Sequence, residues 1–310
     1  DEDGVYYLKS NEYNRVVFMS VPSGYEAVSD GVLPKFHKSL DGNSATTERA
    51  DWQLVKVDNQ DHIMYILGDM HLANRTNDLN QFASFVSDLK EQVAANKSKR
   101  QYALTLGDMT WDLYWYSNAY DLYSYIETIQ SSFSGLQFFH TIGNHDHDMN
   151  SAGDFNTVSV FKKVVSPTYY SFNIGDVHYI VLDNILCTND GTGSRTYDSS
   201  LTADQIDWLR KDLSYVDKSK TLVITMHAQM YNENGKNAME YASELEAICK
   251  GYDTHVMSAH THVIWNNDKS ASNGIHHHNS GAVCGTWWWT GYYTSGLGLC
   301  KDGSPSGYYV

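Results

Sequence analysis

Short apolar runs and amphipathic segments alternate through the middle of the chain. Runs such as HIMYIL (62–67), YALTL (102–106) and TLVITM (221–226) have the length and composition of buried strands. Between the first two runs, apolar side chains recur at helical spacing, at Phe82, Phe85, Val86, Leu89 and Val93. Because strands that alternate with helices form largely parallel sheets covered on both faces, the pattern predicts an α/β sandwich.

The two ends of the chain have a different pattern. Residues 1–60 show no long helical period and contain the apolar runs VVFMSV (16–21) and WQLVKV (52–57), which predict a partial β module. Residues 61–280 carry the alternating elements and form the predicted main domain. Residues 281–310 are rich in glycine, tryptophan and tyrosine, and we interpret them as a tail that leads to a module missing from this chain.

Composition and charge exclude several classes of protein. The chain has 310 residues, of which 42% are hydrophobic and 19% charged, as is typical of a folded globular protein. No apolar run approaches the length needed to cross a bilayer. The formal net charge of -15 argues against a nucleic-acid backbone as the main partner, because the chain offers no basic face that displaces counterions. An anionic substrate would need a bound cation.

Polar side chains follow five of the predicted strands. They are Asp69 with His71, Asp108, Asn144 with His145 and Asp146, His227, and His260 with His262. Since the carboxyl ends of parallel strands meet at one edge of a sheet, where ligands bind, we expect these clusters to converge. Residues two apart in an extended segment project to the same side, so we also expect each Asp-x-His or His-x-His pair to face the site together.

Aspartate, histidine and asparagine without cysteine form a ligand set that suits divalent Mn, Fe or Zn. Seven such ligands are too many for one tetrahedral ion but suit two ions that share a bridging carboxylate. The carboxylates of Asp69 and Asp108 would neutralise only half of the charge of two divalent ions. An acidic protein could therefore still hold a phosphate dianion at this site.

The motifs at the strand ends resemble those of calcineurin-like metallophosphoesterases in order and spacing. They are GDMH (68–71), LGDMTWD (106–112), GNHD (143–146), MH (226–227) and AHTH (259–262). The resemblance covers residues 60–265 and implies a four-layer αββα sandwich with a dinuclear metal centre. It also implies that a metal-bridging hydroxide attacks the phosphorus of a small phosphomonoester or phosphodiester in line.

The resemblance further implies a role for each residue. Two metal ions would be held by two sets of three ligands, which are Asp69, His71 and His262 for the first and Asn144, His227 and His260 for the second. Asp108 would bridge the two ions. His145 would stabilise the transition state or protonate the leaving oxygen, and Asp146 would orient His145 by a hydrogen bond.

The flanking segments are similar to a bacterial subgroup with an N-terminal immunoglobulin-like module and a C-terminal accessory module. FMSVPSGYE (18–26) and SGAVCGTWWWTG (280–291) carry this resemblance. Together with a start at Asp1 rather than methionine, it predicts an extracytoplasmic location. Cys284 and Cys300 could form a disulfide in an exported protein, and free buried thiols are the equally supported alternative.

Two further features of the sequence leave alternatives open. Trp287, Trp288 and Tyr292 could form an aromatic substrate rim, or the tryptophans could pack against a terminal module. The run of histidines at 276–278 is interpreted as part of a strand or loop. The alternative function is a non-catalytic metal-containing binding or scaffold module on the same fold. His145 favours the enzyme, because a binding module needs no acid beside its ligands.

Overall fold

Two β-sheets form the centre of the protein. The computed structural model describes residues 5–8, 16–40, 47–75, 77–289 and 298–310. The strands are β1 (Val16–Phe18), β2 (Tyr25–Ala27), β3 (Ser29–Asp30), β4 (Leu33–Pro34), β5 (His37–Ser39), β6 (Leu54–Lys56), β7 (His62–Leu67), β8 (Arg100–Leu106), β9 (Gln137–Thr141), β10 (Tyr170–Ile174), β11 (Val177–Val181), β12 (Ile185–Cys187), β13 (Tyr197–Ser199), β14 (Thr221–Thr225), β15 (Asp253–Ser258), β16 (Trp265–Asp268) and β17 (Ile275–Asn279). The helices are α1 (Asp78–Ala95), α2 (Leu122–Ser132), α3 (Asp154–Thr157), α4 (Ser159–Val164), α5 (Ala203–Leu213), α6 (Ala242–Cys249) and α7 (Ser270–Asn273).

The two sheets are built mainly from parallel strands. The smaller sheet contains β7, β8 and β9, all parallel. The larger sheet has six strands in the order β10-β11-β14-β15-β17-β16, in which only β10 and β16 run antiparallel to their neighbours. Each strand that precedes a predicted polar cluster belongs to a parallel set, so the predicted arrangement of these strands is confirmed.

Successive side chains of each strand point to opposite faces of the sheet, so each sheet packs against a layer on either side. Tyr65 and Leu67 of β7 pack under α1 and α2, whereas Met64 and Ile66 face the larger sheet. On the larger sheet, Ile180 packs under α5 and α6. The order helix, sheet, sheet, helix confirms the predicted αββα sandwich. None of the described helices combines the length and the apolar character required to span a membrane.

The flanking segments pack on this sandwich. The N-terminal strands form the short antiparallel pairs β1–β5, β2–β6 and β3–β4. Val21, Ala27 and Phe36 from this segment are buried in the layer between the two sheets. Near the other end of the chain, Tyr309 forms an antiparallel bridge with Ile66 and so lies along the free edge of β7. The domain boundaries predicted at residues 60 and 280 stay predictions.

Candidate metal centre

The loops after β7 and β15 bring three of the predicted ligands together. The Nε2 atoms of His71 and His262 are 3.2 Å apart. Asp69 Oδ1 lies 3.3 Å from Nε2 of His262 and 3.7 Å from Nε2 of His71. All three side chains are buried. Their nitrogen and oxygen atoms therefore converge on one point at the carboxyl end of the smaller sheet.

A second group of three surrounds His227, which follows β14. Nε2 of His227 lies 3.0 Å from Oδ1 of Asn144 and 3.1 Å from Nδ1 of His260. Asp108 lies between the two groups, with Oδ2 at 3.2 Å from His227 Nε2 and 3.5 Å from His71 Nε2. The structure thus brings all seven residues into two adjacent groups that share one carboxylate.

The backbone at these residues differs from the predicted extended geometry. Five of them have a positive φ between 45° and 70°, namely Asp69, His71, Asp108, His260 and His262. The expectation that alternation in an extended segment aims the pairs at the site is therefore wrong. Instead, left-handed residues turn the chain sharply after β7, β8 and β15. Two glycines leave room for this turn, because a Cβ on Gly107 would lie 2.6 Å from His227 Nδ1 and one on Gly143 would overlap Asp108.

For two of the histidines, the hydrogen bonds of the outer ring nitrogens place the lone pair of the neutral ring on the inner nitrogen. Nδ1 of His227 donates to the carbonyl of Leu106 at 2.7 Å, and Nδ1 of His262 donates to the carbonyl of Gly285 at 2.6 Å. In the neutral rings Nε2 is then an acceptor that faces other acceptors. Oδ1 of Asp69 is also buried without a hydrogen-bond partner among the described residues. Such an arrangement fits cations, which would satisfy all of these atoms at once.

The charges and burial within the site favour the metal-binding form of three ligands and the protonated form of His227. Although burial opposes ionisation, the neighbouring His227 and His145 hold the pKa of Asp108 well below its usual range. Burial lowers the pKa of His71 to about 4, and burial together with His227 lowers the pKa of His260 to about 4. Burial alone would lower the pKa of His227, but the charge of Asp108 raises this pKa to about 9. Cations and protons therefore compete at His227.

The imidazole of His145 is held by Asp112. Nδ1 of His145 donates to Oδ1 of Asp112 at 2.7 Å. Arg195 donates to both oxygens of the same carboxylate, from Nε at 2.8 Å and from Nη2 at 2.7 Å. Nε2 of His145 consequently points into the site, 4.0 Å from Oδ2 of Asp108. The ring is only partly exposed and has one orientation in which it can give or take a proton at Nε2.

Asp146 has a different role from the one predicted. Its carboxylate accepts hydrogen bonds from the backbone N–H groups of Gly143 at 3.0 Å, Met109 at 3.3 Å and Thr110 at 3.0 Å. These donors lie away from the ring of His145, so the prediction that Asp146 orients His145 is corrected. Burial and the charge of Asp108 raise the pKa of Asp146 to about 7. Asp146 therefore ties two loops of the site together.

Several residues at the site were not singled out from the sequence. Asp112 is the last residue of the motif LGDMTWD (106–112), so the sequence already placed it near the strand-end cluster of Asp108. Arg195 comes from the segment between β12 and β13, and Tyr197 is the first residue of β13; this part of the chain carries no recognisable pattern. The hydroxyl of Tyr197 lies 3.4 Å from Nε2 of His260, on the side of the ring away from His227. Only the fold brings this segment to the centre.

An aromatic rim borders the first group of ligands. The ring of Trp287 lies 4.8 Å from that of His262, and the rings of Trp111 and Trp289 lie 6.3 Å and 5.8 Å from Trp287. The guanidinium of Arg75 sits 4.5 Å from the centre of the Trp111 ring and donates to the carbonyl of Trp287. We call these four residues the aromatic rim.

One of the three residues predicted to form the rim is found there. Trp287 lies on the rim beside the ligands. Trp288 instead packs against the core of the α1 and α2 layer, and its Nε1 donates to the carbonyl of Met70 at 2.9 Å. Its place on the rim is therefore corrected to a packing role. Tyr292 lies outside the described residues.

The cysteines are free buried thiols, which was the alternative to a disulfide. All four are unpaired and buried. Sγ of Cys284 lies 3.8 Å from Nδ1 of His262, and Sγ of Cys300 accepts a hydrogen bond from the backbone of Ala282 at 3.3 Å. The structure thus has no Cys284–Cys300 bridge, and the location predicted from such a bridge loses that support.

Comparison with known proteins agrees with this geometry. Purple acid phosphatase 18 of Arabidopsis thaliana is 34% identical over 116 residues, which are 35% of this chain and 24% of that protein. Phosphoenolpyruvate phosphatase of Allium cepa is 28% identical over 179 residues, which are 53% of this chain and 34% of that protein. The chain thus spans about a quarter to a third of the length of these relatives.

A solved structure and two family models complete the comparison. A dimetal phosphatase from Danio rerio superposes with a TM-score of 0.52 at 12% identity, over 71% of this chain and 87% of that one, which shows a shared fold. The family model for the N terminal of calcineurin-like phosphoesterase matches residues 1–57. The model described as calcineurin-like phosphoesterase matches residues 64–264, most of the chain. The chain belongs to the calcineurin-like phosphoesterase family.

Proposed function

We propose that the protein hydrolyses phosphate esters with the help of two divalent metal ions. The observation that carries the proposal is the meeting of acceptor atoms in two groups that share Asp108. The first ion would be held by Asp69, His71 and His262, and the second by Asn144, His227 and His260. When bound, two such cations supply Lewis acidity, which lowers the pKa of water and neutralises phosphate oxygens.

The ligand chemistry narrows the identity of the ions. Nitrogen and oxygen donors without thiolate suit Mn, Fe or Zn. Cys284 is the nearest thiol to the first group, but its Sγ lies on the Nδ1 side of His262, whereas the other ligands face Nε2. We therefore assign no metal ligand to cysteine.

The residues around His145 provide proton transfer. Because Nδ1 of His145 donates a hydrogen bond to Asp112, Nε2 is the atom that faces a substrate in the site. His145 would give a proton from Nε2 to the leaving oxygen of the ester. Arg195 holds Asp112 through two hydrogen bonds and so keeps the histidine from turning away. Asp112 and Arg195 act through His145 and are positioning residues.

The aromatic rim points to the class of substrate. Trp287 and Trp289 present flat apolar surface beside the first ligand group, Trp111 is buried behind them, and Arg75 adds a positive charge. Trp289 is 63% exposed and is therefore accessible to a ligand. We infer that the substrate is a small phosphate ester whose alcohol carries a planar group. Both a monoester and a diester would meet this requirement.

The test is hydrolysis of aryl phosphate monoesters and diesters by the purified protein. We expect turnover that a chelator abolishes and that added Mn²⁺ restores. Asp108→Asn and His145→Ala should each abolish turnover while circular dichroism stays unchanged. Asp207→Asn, which changes an exposed aspartate of α5 outside the centre, is the matched control and should stay active. Full activity of both site variants would contradict the proposal, and absence of turnover with two ions bound would favour a non-catalytic binding module.

Other expectations from the sequence stay predictions. They are the bacterial subgroup with its accessory modules, the division into residues 1–60, 61–280 and 281–310, and the extracytoplasmic location. Limited proteolysis tests the division, because cleavage should concentrate near residues 60 and 280. Cell fractionation of the source organism tests the location.

A further inference from the structure

Three histidines form a cluster outside the metal centre. His255 of β15 and His276 of β17 are directly opposite each other in register, and their rings stack with centres 4.8 Å apart. His278 lies beside His255, with ring centres 5.3 Å apart and nearly parallel planes. The cluster lies toward the amino-terminal end of β15, whereas His260 follows its carboxyl end. The two sites are therefore at opposite ends of the same strand.

Hydrogen bonds assign the protons of two of these rings. Nδ1 of His278 lies 2.8 Å from the side-chain amide oxygen Oδ1 of Asn266, which only accepts, so this nitrogen carries a proton. Nε2 of His278 is then an acceptor, and it lies 3.1 Å from Nδ1 of His255. His255 must donate from Nδ1. The Nε2 atom of His255 is left with a lone pair.

The third ring is oriented in the same way by a carboxylate. Nδ1 of His276 lies 3.4 Å from Oδ1 of Asp268, which favours a proton on Nδ1 and a lone pair on Nε2. Asp253 Oδ1 then lies 3.8 Å from Nε2 of His276 and 3.9 Å from Nε2 of His255. In the neutral rings, three acceptor atoms therefore lie near one point.

We propose that His255, His276 and Asp253 bind a Zn²⁺ ion at this outer face of the larger sheet. Two imidazoles and one carboxylate are a ligand set of zinc sites that keep a fourth position open to water. Ligating histidines in such sites characteristically donate their other N–H to a carboxylate or another acceptor, as Asp268 and His278 accept here. The three ligand atoms lie within 4.8 Å of one another.

Exposure and charge are consistent with binding from solution. The side chains of His255, His276 and Asp253 are 36%, 31% and 61% exposed, so an ion can reach them and the side chains can close around it. Asp268 adds a second negative charge. The site does not depend on the proposed hydrolysis.

The experiment counts zinc bound to the full chain in equilibrium dialysis at increasing free Zn²⁺. Wild type should bind one zinc ion more than the His255→Gln/His276→Gln double variant. Asp268→Asn should retain the additional ion with an affinity weakened by about tenfold, because it supports a ligand without being one. Glu233→Gln, which removes an exposed carboxylate elsewhere, is the matched control and should bind as wild type does.

Equal zinc counts in wild type and the double variant would overturn the proposal. Loss of the additional ion in Glu233→Gln would do the same, because it would show non-specific surface binding. If circular dichroism shows that the double variant does not fold, Asp253→Asn decides the question. That single variant should lose the additional ion, and retention of the ion with wild-type affinity would overturn the assignment.

Discussion

His145 donates from Nδ1 to Asp112 at 2.7 Å, although Asp146 is its neighbour in the sequence. Asp112 belongs to the short helical turn Asp112–Tyr114 after β8, and Arg195 reaches it from the segment between β12 and β13. Two other parts of the chain therefore fix the imidazole of His145. Asp112 thus positions His145, which faces the site, whereas Asp146 holds the backbone of the loops.

Asp112→Asn tests the positioning of His145. Because an amide holds the ring less well than a carboxylate, kcat for an aryl phosphate should fall by about 10–100-fold, with KM nearly unchanged and the pH–rate profile altered. His145→Ala should fall further, by about 10²–10⁴-fold. Asp212→Asn is the control, since Asp212 makes a similar 2.8 Å contact with His178 outside the site. Equal losses in the Asp112 and Asp212 variants would contradict the specific role.

Asp146→Asn should mainly affect stability. The carboxylate accepts three backbone N–H groups, and the amide group of asparagine would place donors against some of them. We expect the free energy of unfolding in urea to fall by about 1–3 kcal/mol. Wild-type stability combined with a loss of kcat as large as that of His145→Ala would show that Asp146 acts in catalysis after all.

Removal of metal should lower thermal stability. Without cations, Nε2 of His71 and Nε2 of His262 lie 3.2 Å apart, beside an oxygen of Asp69 that has no hydrogen-bond partner among the described residues. An ion that binds only the folded state adds about 4 kcal/mol at a concentration of 1,000 times Kd. Differential scanning calorimetry should therefore show a lower Tm with a chelator and recovery with Mn²⁺. An unchanged Tm in chelator would mean that the acceptors are satisfied by protons alone.

Two neighbouring tryptophans should behave differently when replaced by alanine. Trp289→Ala removes an exposed ring of the rim, so KM for aryl phosphates should rise by about three- to tenfold while kcat is retained. Trp288→Ala removes a ring that packs against the α1 and α2 layer, so the free energy of unfolding should fall by about 2 kcal/mol. Steady-state kinetics and urea denaturation of both variants separate the two roles, and a reversed pattern would refute them.

His140 should make folding sensitive to acid. Burial lowers the pKa of this histidine to about 3, so it stays neutral in the folded state, whereas the unfolded chain takes up a proton below its ordinary pKa of 6.5. Stability is therefore fully present above pH 6.5 and is lost as the pH falls toward about 3, by about 1.4 kcal/mol per pH unit for this group. In urea denaturation of protein freed of metal by a chelator, the free energy of unfolding of His140→Gln should depend less steeply on pH than that of wild type. Parallel curves for the two proteins would exclude this contribution.

The sequence predicted the strand-end clusters because each cluster is local and follows a buried run. Asp69, Asp108 and His227 could be placed at one edge once parallel strands were inferred. The partner of His145 could not be predicted in this way, because two acids are candidates and only the packing of the loops decides between them. Asp112 faces the ring, whereas Asp146 turns toward backbone N–H groups.

Longer-range contacts were also beyond the sequence. Arg195 lies 83 residues from Asp112, and nothing in its segment marks it as part of the site. Trp287 and Trp288 are adjacent and identical in type, yet one borders the ligands and the other packs inward. The direction of each ring depends on the left-handed backbone at both residues, with φ of 49° and 63°, which side-chain pattern alone does not reveal.

The left-handed backbone of the five candidate ligands has a consequence for how such a protein can change over generations. Non-glycine residues in this conformation each cost on the order of 1–3 kcal/mol, and the cost persists only where the surroundings enforce it. In the absence of metal, replacement of one of these ligands by glycine should therefore stabilise the chain. Loss of activity would then bring a gain in stability, so selection for stability alone would erode the centre. Only selection for turnover would retain these five side chains.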